Sequence, residues 1–204
     1  MILLTTFFKN EPREEELVHC IKHNLDQPFF SRVFIFCERG YLPPIEHPKL
    51  EFVSVSDRPT YGAYFEFANK SLLGEFVVVS NTDIKYDSTM ELLASLPPSR
   101  WDNHLFCITR VNEDGQLQNQ WSQDTWVFKA PICKMQDDII LGIDGCDTYL
   151  AQKAVEAGLT VSNPCHSVRC HHYHRSGGRR ARLNGSCYWS APGYTGHAIP
   201  FSTL

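Results

Sequence analysis

Asp83 stands at the end of the run Phe76-Val77-Val78-Val79-Ser80-Asn81-Thr82-Asp83-Ile84. β-Branched and aromatic residues give way abruptly to small polar ones, the pattern of a buried strand that delivers a carboxylate to the rim of a sheet. Ligands of open α/β sheets bind beyond the carboxyl ends of the strands. A carboxylate there can hold a hard divalent cation against a diphosphate, or simply close a turn. Asp87, four residues on, reads as the cap of the next helix.

Five other clusters carry chemistry. Arg58-Pro59-Thr60-Tyr61 sets a guanidinium for a phosphate or carboxylate beside a phenol ring that can stack on a base or sugar, and it also suits a surface turn. Trp121-Ser122-Gln123-Asp124-Thr125-Trp126 places two indoles beside a carboxylate, a combination suited to holding a sugar and equally to a core with an acidic turn. In Asp144-Gly145-Cys146-Asp147 two acids flank a glycine at a helix start. The helix N-terminus favours the ionised form of Asp147, a general base or an ordinary first-turn acid.

Cys165-His166 and Cys170-His171-His172-Tyr173-His174 are dense in metal-binding types, but no C-x-x-C is present and a zinc knuckle is disfavoured. His172 and His174 share one face of a strand, where one or both can complete a mixed site with Asp83. Arg175, Arg179, Arg180 and Arg182 surround Gly177-Gly178, a basic loop suited to a diphosphate or to solvent.

These groups need elements to position them. Residues 2–8 read as a strand, followed by a helix opening at Glu11-Pro12-Arg13 with Leu17, Cys20, Ile21 and Leu25 on its apolar face. Val33–Phe36 and Leu50–Val55 read as strands, Thr60–Leu73 as a helix and Phe76–Ile84 as the fourth strand. Ser88–Leu96 reads as a helix closed by Pro97-Pro98, His104–Val111 and Thr125–Lys129 as strands, and 145–158 as a helix ending at Gly158. Strand and helix alternate, so the chain is α/β with a mostly parallel sheet.

The 204 residues make one domain, with an irregular His/Arg/Gly-rich segment from about 163. A formal net charge of −4 argues against a nucleic-acid partner. No run reaches the roughly 20 apolar residues of a membrane span. The N-terminus lacks the basic region of a signal peptide. The eight cysteines are expected to be free thiols in a reducing, cytoplasmic setting. Neither G-x-G-x-x-G nor G-x-x-x-x-G-K-[ST] occurs, so a phosphate must be neutralised by metal or arginine.

Seven segments in order resemble small GT-A-type glycosyltransferases that use nucleotide sugars. They are Thr5-Thr6-Phe7-Phe8, Arg58-Pro59-Thr60-Tyr61, Ser80-Asn81-Thr82-Asp83-Ile84, Ser122-Gln123-Asp124-Thr125-Trp126, Gly145-Cys146-Asp147, Asn163-Pro164 and His172-Tyr173-His174-Arg175-Ser176. They are similar to a group that includes the N-terminal rhamnosyltransferase-like domain of a large chlorella-virus protein. The resemblance implies a GT-A-like domain with a central sheet flanked by helices. It implies sugar transfer from a UDP- or GDP-linked donor to a glycan or other hydroxyl acceptor, assisted by Mn²⁺ or Mg²⁺. Asn81, Thr82 and Asp83 would match the family's D-x-D-like motif, with Asn81 in place of the first acid and Asp83 the main ligand. Arg58 and Tyr61 would lie near the nucleotide, and His174 or His172 would complete the metal shell. Asp147, with Asp144 as rival, would be the base. Asp124, Trp126 and Arg175 would bind substrate. A nucleotidyltransferase is the nearest rival, although Lys9-Asn10-Glu11-Pro12-Arg13 lacks the glycine-rich loop it needs. A non-catalytic sugar- or metal-binding module is the other.

Overall fold

The computed structural model describes residues 1–133, 135, 138–175, 187–188 and 193–204. A seven-stranded sheet forms its centre. The strands are β1 (Ile2–Phe7), β2 (Arg32–Glu38), β3 (Leu50–Val55), β4 (Phe76–Ser80), β6 (His104–Ile108), β7 (Thr125–Lys129) and β8 (Thr160–Ser162), in the order β3-β2-β1-β4-β7-β6-β8. Only β7 runs antiparallel to its neighbours β4 and β6. The sheet is therefore mostly parallel, as the alternation of elements implies.

Both faces of the sheet are covered, which is why its strands read as unbroken apolar runs. Side chains alternate between two cores. Leu4, Phe34, Phe36, Val77, Val79 and Phe128 pack on one side, with α2 (Tyr61–Ser71) and α4 (Cys146–Glu156). Leu3, Val33, Ile35, Val78 and Val127 pack on the other, with α1 (Glu14–Leu25) and the short α3 (Glu91–Ala94).

The expected fourth strand is broken. β4 stops at Ser80, and a separate β5 (Ile84–Tyr86) pairs antiparallel with β9 (Cys170–His172). Hydroxyl bonds at residue 82 replace the sheet ladder: Thr82 Oγ1 donates to the Thr6 carbonyl and lies 3.1 Å from Thr5 Oγ1. The far edge of β5 is satisfied by a side chain. Asn24 of α1 donates to the Ile84 carbonyl at 2.8 Å and accepts from the Tyr86 N–H at 3.1 Å. Asp83 therefore sits on a turn between two strands, not at a strand end. Asp87 caps as expected, accepting from the Thr89 N–H at 2.9 Å, but the turn it starts is 3₁₀ before becoming α3.

Other boundaries moved less. α1 opens at Glu14, after Pro12 and Arg13. β6 ends at Ile108, three residues before Val111. No helix among the described residues is long and apolar enough to cross a membrane. The cysteines are free, and Cys20, Cys37, Cys107, Cys146, Cys165 and Cys170 are buried.

Candidate active site

Two cavities of about 800 Å³ and 790 Å³ open at the ends of the central strands, within the usual range of small-molecule sites. Asn81, Arg110, Asp124, Gly142 and Asp144 line both, so they form one cleft with a shared wall.

On one side of that wall lie Asp83, His172 and His174. One ligand atom from each lies within 4.8 Å of the others. The β5–β9 pairing creates the cluster: it sets His172 opposite Ile84, and the Tyr173 N–H donates to the Asp83 carbonyl at 2.8 Å. His172 Nε2 is 3.3 Å from Asp83 Oδ2. A carboxylate with two imidazoles is a borderline donor set that fits Mn²⁺ as well as other first-row divalent ions. These residues could hold such an ion.

Behind them is Arg13, 6 % exposed. Its Nη2 donates to Asp83 Oδ2 at 2.7 Å and its Nε to Glu16 Oε2 at 3.2 Å. Burial pushes the Asp83 carboxyl up, but the hydrogen bond and charge of His172, together with Arg13, outweigh it. Asp83 is held well below the usual carboxylate range. Burial, with the charges of Arg13 and His172, lowers His174 and favours the neutral imidazole that a metal needs.

On the other side Asp147 sits in the first turn of α4. Its Oδ1 accepts from the Thr148 N–H at 3.0 Å and its Oδ2 from the Gln123 N–H at 3.2 Å. The helix N-terminus was expected to keep it readily ionised. Burial and the nearby Asp124 charge overcome those amides and raise it to about 6. A carboxylate poised there is matched to proton abstraction near neutrality.

Asp124, 4 % exposed, ties the two sides together. Arg110 Nη1 donates to both its oxygens, at 2.9 and 3.1 Å, and Asn81 Nδ2 donates to Oδ1 at 2.7 Å. Asp144 is exposed on the cleft wall. The loop that carries it is strapped down where the Tyr61 N–H donates to the Ile139 carbonyl and the Leu141 N–H to the Pro59 carbonyl.

Asn81, Thr82, Asp83, Asp124, Asp144, Asp147, His172 and His174 thus meet in one cleft. Four predicted residues do not join them. Tyr61 has no exposed surface. It packs edge-on against Trp126 with centroids 4.7 Å apart, and its hydroxyl lies 3.6 Å from Cys146 Sγ, so it supports the start of α4 instead of stacking on a ligand. Trp126 is likewise fully buried in the sheet core and cannot hold a sugar. Arg58 is half-buried beyond β3 and lines neither cavity. Arg175 turns to α1: its N–H donates to Glu16 Oε1 at 2.6 Å and its guanidinium lies over the Tyr173 ring. Arg179, Arg180 and Arg182 of the expected basic loop lie outside the described residues.

The sequence reading passes over two contributors. Arg13 was read only as part of a helix start. Arg110 was read as part of a strand interior, although a cation just past a strand end is the signal that marks it. Of the two indoles that the sequence sets beside Asp124, Trp121 lines the cleft and Trp126 does not.

The sheet order, the single antiparallel strand and the cleft at the strand ends define a GT-A fold. Among solved structures, S. aureus TarS 1–349 in complex with UDP-GlcNAc is similar with a TM-score of 0.60 and 12 % identity, over 89 % of this chain and 61 % of that one. GalNAc-T7 with UDP, GalNAc and Mn²⁺ is similar at 0.56 and 10 %, over 96 % of this chain and 46 % of that one. The Pyrobaculum calidifontis mannosyltransferase PcManGT in complex with GDP-Man and Mn²⁺ is similar at 0.54 and 15 %, over 87 % and 58 %. This chain therefore spans about three fifths of the TarS fragment. No protein-family model matches the sequence, and no curated protein matches it.

Proposed function

We propose that the protein is a divalent-metal-assisted glycosyltransferase that moves a sugar from a nucleoside-diphosphate sugar to an acceptor hydroxyl. The observation that carries this reading is the division of labour in the cleft. An Asp/His/His cluster faces one cavity, and an aspartate raised to about 6 faces the adjoining one.

Asp83, His172 and His174 would hold Mn²⁺ or Mg²⁺. The metal, when bound, would offset charge on the departing diphosphate. Asp147 takes the proton from the acceptor hydroxyl as that oxygen attacks the anomeric carbon and the sugar–phosphate bond breaks. The Gln123 and Thr148 amides fix both of its oxygens in place. Asp144 is the rival base, but it is exposed, whereas Asp147 is held by two amides. Structural neighbours captured with UDP-GlcNAc and GDP-Man support a UDP- or GDP-linked donor. A hexose or deoxyhexose is the sugar class in keeping with the resemblance of the sequence motifs, and free buried thiols favour a reducing cytoplasmic setting.

Asn81 in place of an acid was the feature that favoured a non-catalytic module. Its amide donates to the Asp124 carboxylate, a partner that an ionised aspartate at residue 81 could not serve, which weighs against decay of the site.

Calorimetry with UDP and GDP, with and without Mn²⁺, tests the donor side. The Asp147→Asn variant tests the base, with an expected loss of about 10²–10⁴-fold in kcat and unchanged nucleotide binding. Failure of both nucleotides to bind overturns the proposal.

A further inference from the structure

Trp121 lines the base-side cavity with 43 % of its surface exposed, whereas the other described tryptophans, Trp101 and Trp126, are 3 % and 0 % exposed. Proton transfer by Asp147 has no use for an indole. The ring is nevertheless held from behind. A Cβ at Gly196 would come within 3.1 Å of Trp121 Cζ3 and 2.9 Å of the Tyr194 hydroxyl oxygen, and Gly196 has φ +67. Only glycine suits that position.

The segment that carries Gly196 is clamped to α4. The Thr195 and Gly196 N–H groups donate to Gln152 Oε1 at 3.0 and 3.1 Å, and Gln152 Nε2 donates to the Gly193 carbonyl at 2.8 Å. The Tyr194 hydroxyl lies 2.7 Å from Thr148 Oγ1, one residue from the base. The Ile199 N–H donates to the Gln120 carbonyl at 3.2 Å, which ties the segment to the Trp121 turn. The aromatic ring is thus preset relative to Asp147.

Charge narrows what can lie on it. The cavity presents Asp124, Asp144 and Asp147. Its only cation among the described lining residues is Arg110, which is already committed to Asp124 and Asn112. Phosphorylated or uronate-bearing acceptors would meet net negative charge. The amides of Gln118 and Asn119 beside the ring suit hydroxyls. A flat apolar face edged by amides and carboxylates matches one molecule class well, a sugar ring with apolar C–H faces and equatorial hydroxyls.

We propose that the acceptor is an uncharged glycan, one sugar ring of which lies on Trp121 while a hydroxyl is delivered to Asp147. This rests on the glycosyltransferase reading of the same cleft.

The test is tryptophan fluorescence with neutral gluco-, manno-, galacto- and chito-oligosaccharides, beside matched uronate-bearing ones. The proteins are wild type, Trp121→Phe and Trp121→Ala, and UDP and GDP binding with Mn²⁺ is measured in parallel. At least one neutral series should perturb the emission of the wild type and not that of Trp121→Phe, while binding to Trp121→Phe persists by calorimetry. Binding should weaken about tenfold in Trp121→Ala. Absence of any neutral-glycan response while nucleotide binding is intact overturns this inference alone. So does binding of uronate-bearing glycans as tight as neutral ones, or undiminished binding to Trp121→Ala. Loss of nucleotide binding as well overturns the parent reading.

Discussion

Asp83 and Asp147 are the same residue type on two walls of one cleft, and their surroundings tune them in opposite directions. Asp83 is held well below the usual range by His172 and Arg13, despite burial. Asp147 is raised to about 6 by burial and by Asp124, despite two amide donors. Both are removed from bulk water, so desolvation does not separate them. The sign of the nearest charge does. A carboxylate paired with Arg13 and hydrogen-bonded to His172 stays ionised, suited to a metal. A carboxylate beside another carboxylate is a base that can take up and release a proton near neutrality.

The largest expected effect on this contrast comes from Arg13→Ala. Arg13 neutralises Asp83 and Glu16, with side chains 8 %, 14 % and 9 % exposed respectively. Removing one member of a buried ionic network leaves charge uncompensated and costs about 3–5 kcal/mol. A divalent cation on Asp83, His172 and His174 would restore part of the missing positive charge. Mn²⁺ should therefore raise the melting temperature of the variant more than that of wild type. An equal metal response in the two proteins breaks the assignment of Asp83 as a ligand.

Much of this arrangement was legible in the sequence, and the limits have physical causes. The runs Val77–Val79 and Val33–Phe36 declare a sheet covered on both faces, and the small polar residues after them declare its rim. The same double burial hides which member of Thr125–Lys129 faces a ligand, so Trp126 was assigned to a site when it belongs to the core. Tyr61 follows the same logic: an aromatic at a strand–helix junction looks available until the fold packs α4 against it. Arg13 lay among acids that any helix start attracts, and its partner Asp83 is 70 residues away. Residue types pointed to Asp147, His172 and His174, and all three line the cleft. Only the fold could reveal that Asn81 and Asp124, 43 residues apart, are bonded.

That bond gives the next, smaller effect. Asn81→Asp would restore the acid of a D-x-D pattern, and a pattern-based view expects tighter metal binding. The geometry predicts the reverse. Asn81 Nδ2 is 2.7 Å from Asp124 Oδ1, so an aspartate there exchanges a charge-assisted hydrogen bond for like-charge contact. The loss should be about 2 kcal/mol by chemical denaturation, with no gain in Mn²⁺ affinity. The reciprocal Asn81→Asp/Asp124→Asn pair restores donor against acceptor and should recover part of the stability. Tighter metal binding in the single variant would show that residue 81 is free to act as a ligand.

Asp124→Asn alone sharpens the other wall with the smallest effect. Asparagine keeps a carbonyl oxygen for Asn81 and Arg110 but removes the negative charge that, after burial, most raises Asp147. Loss of a like charge stabilises the ionised carboxylate, so the Asp147 pKa falls. A base is active when deprotonated. The acidic limb of the kcat/KM profile should therefore rise through about pH 6 in wild type and shift to lower pH in the variant. The displacement should be on the order of one unit, the size a neighbouring charge produces. A limb that stays in place would assign the raised value to desolvation alone. A limb that moves to higher pH would mean that Asp147 is not the group being read, and would transfer the role of base to the exposed Asp144.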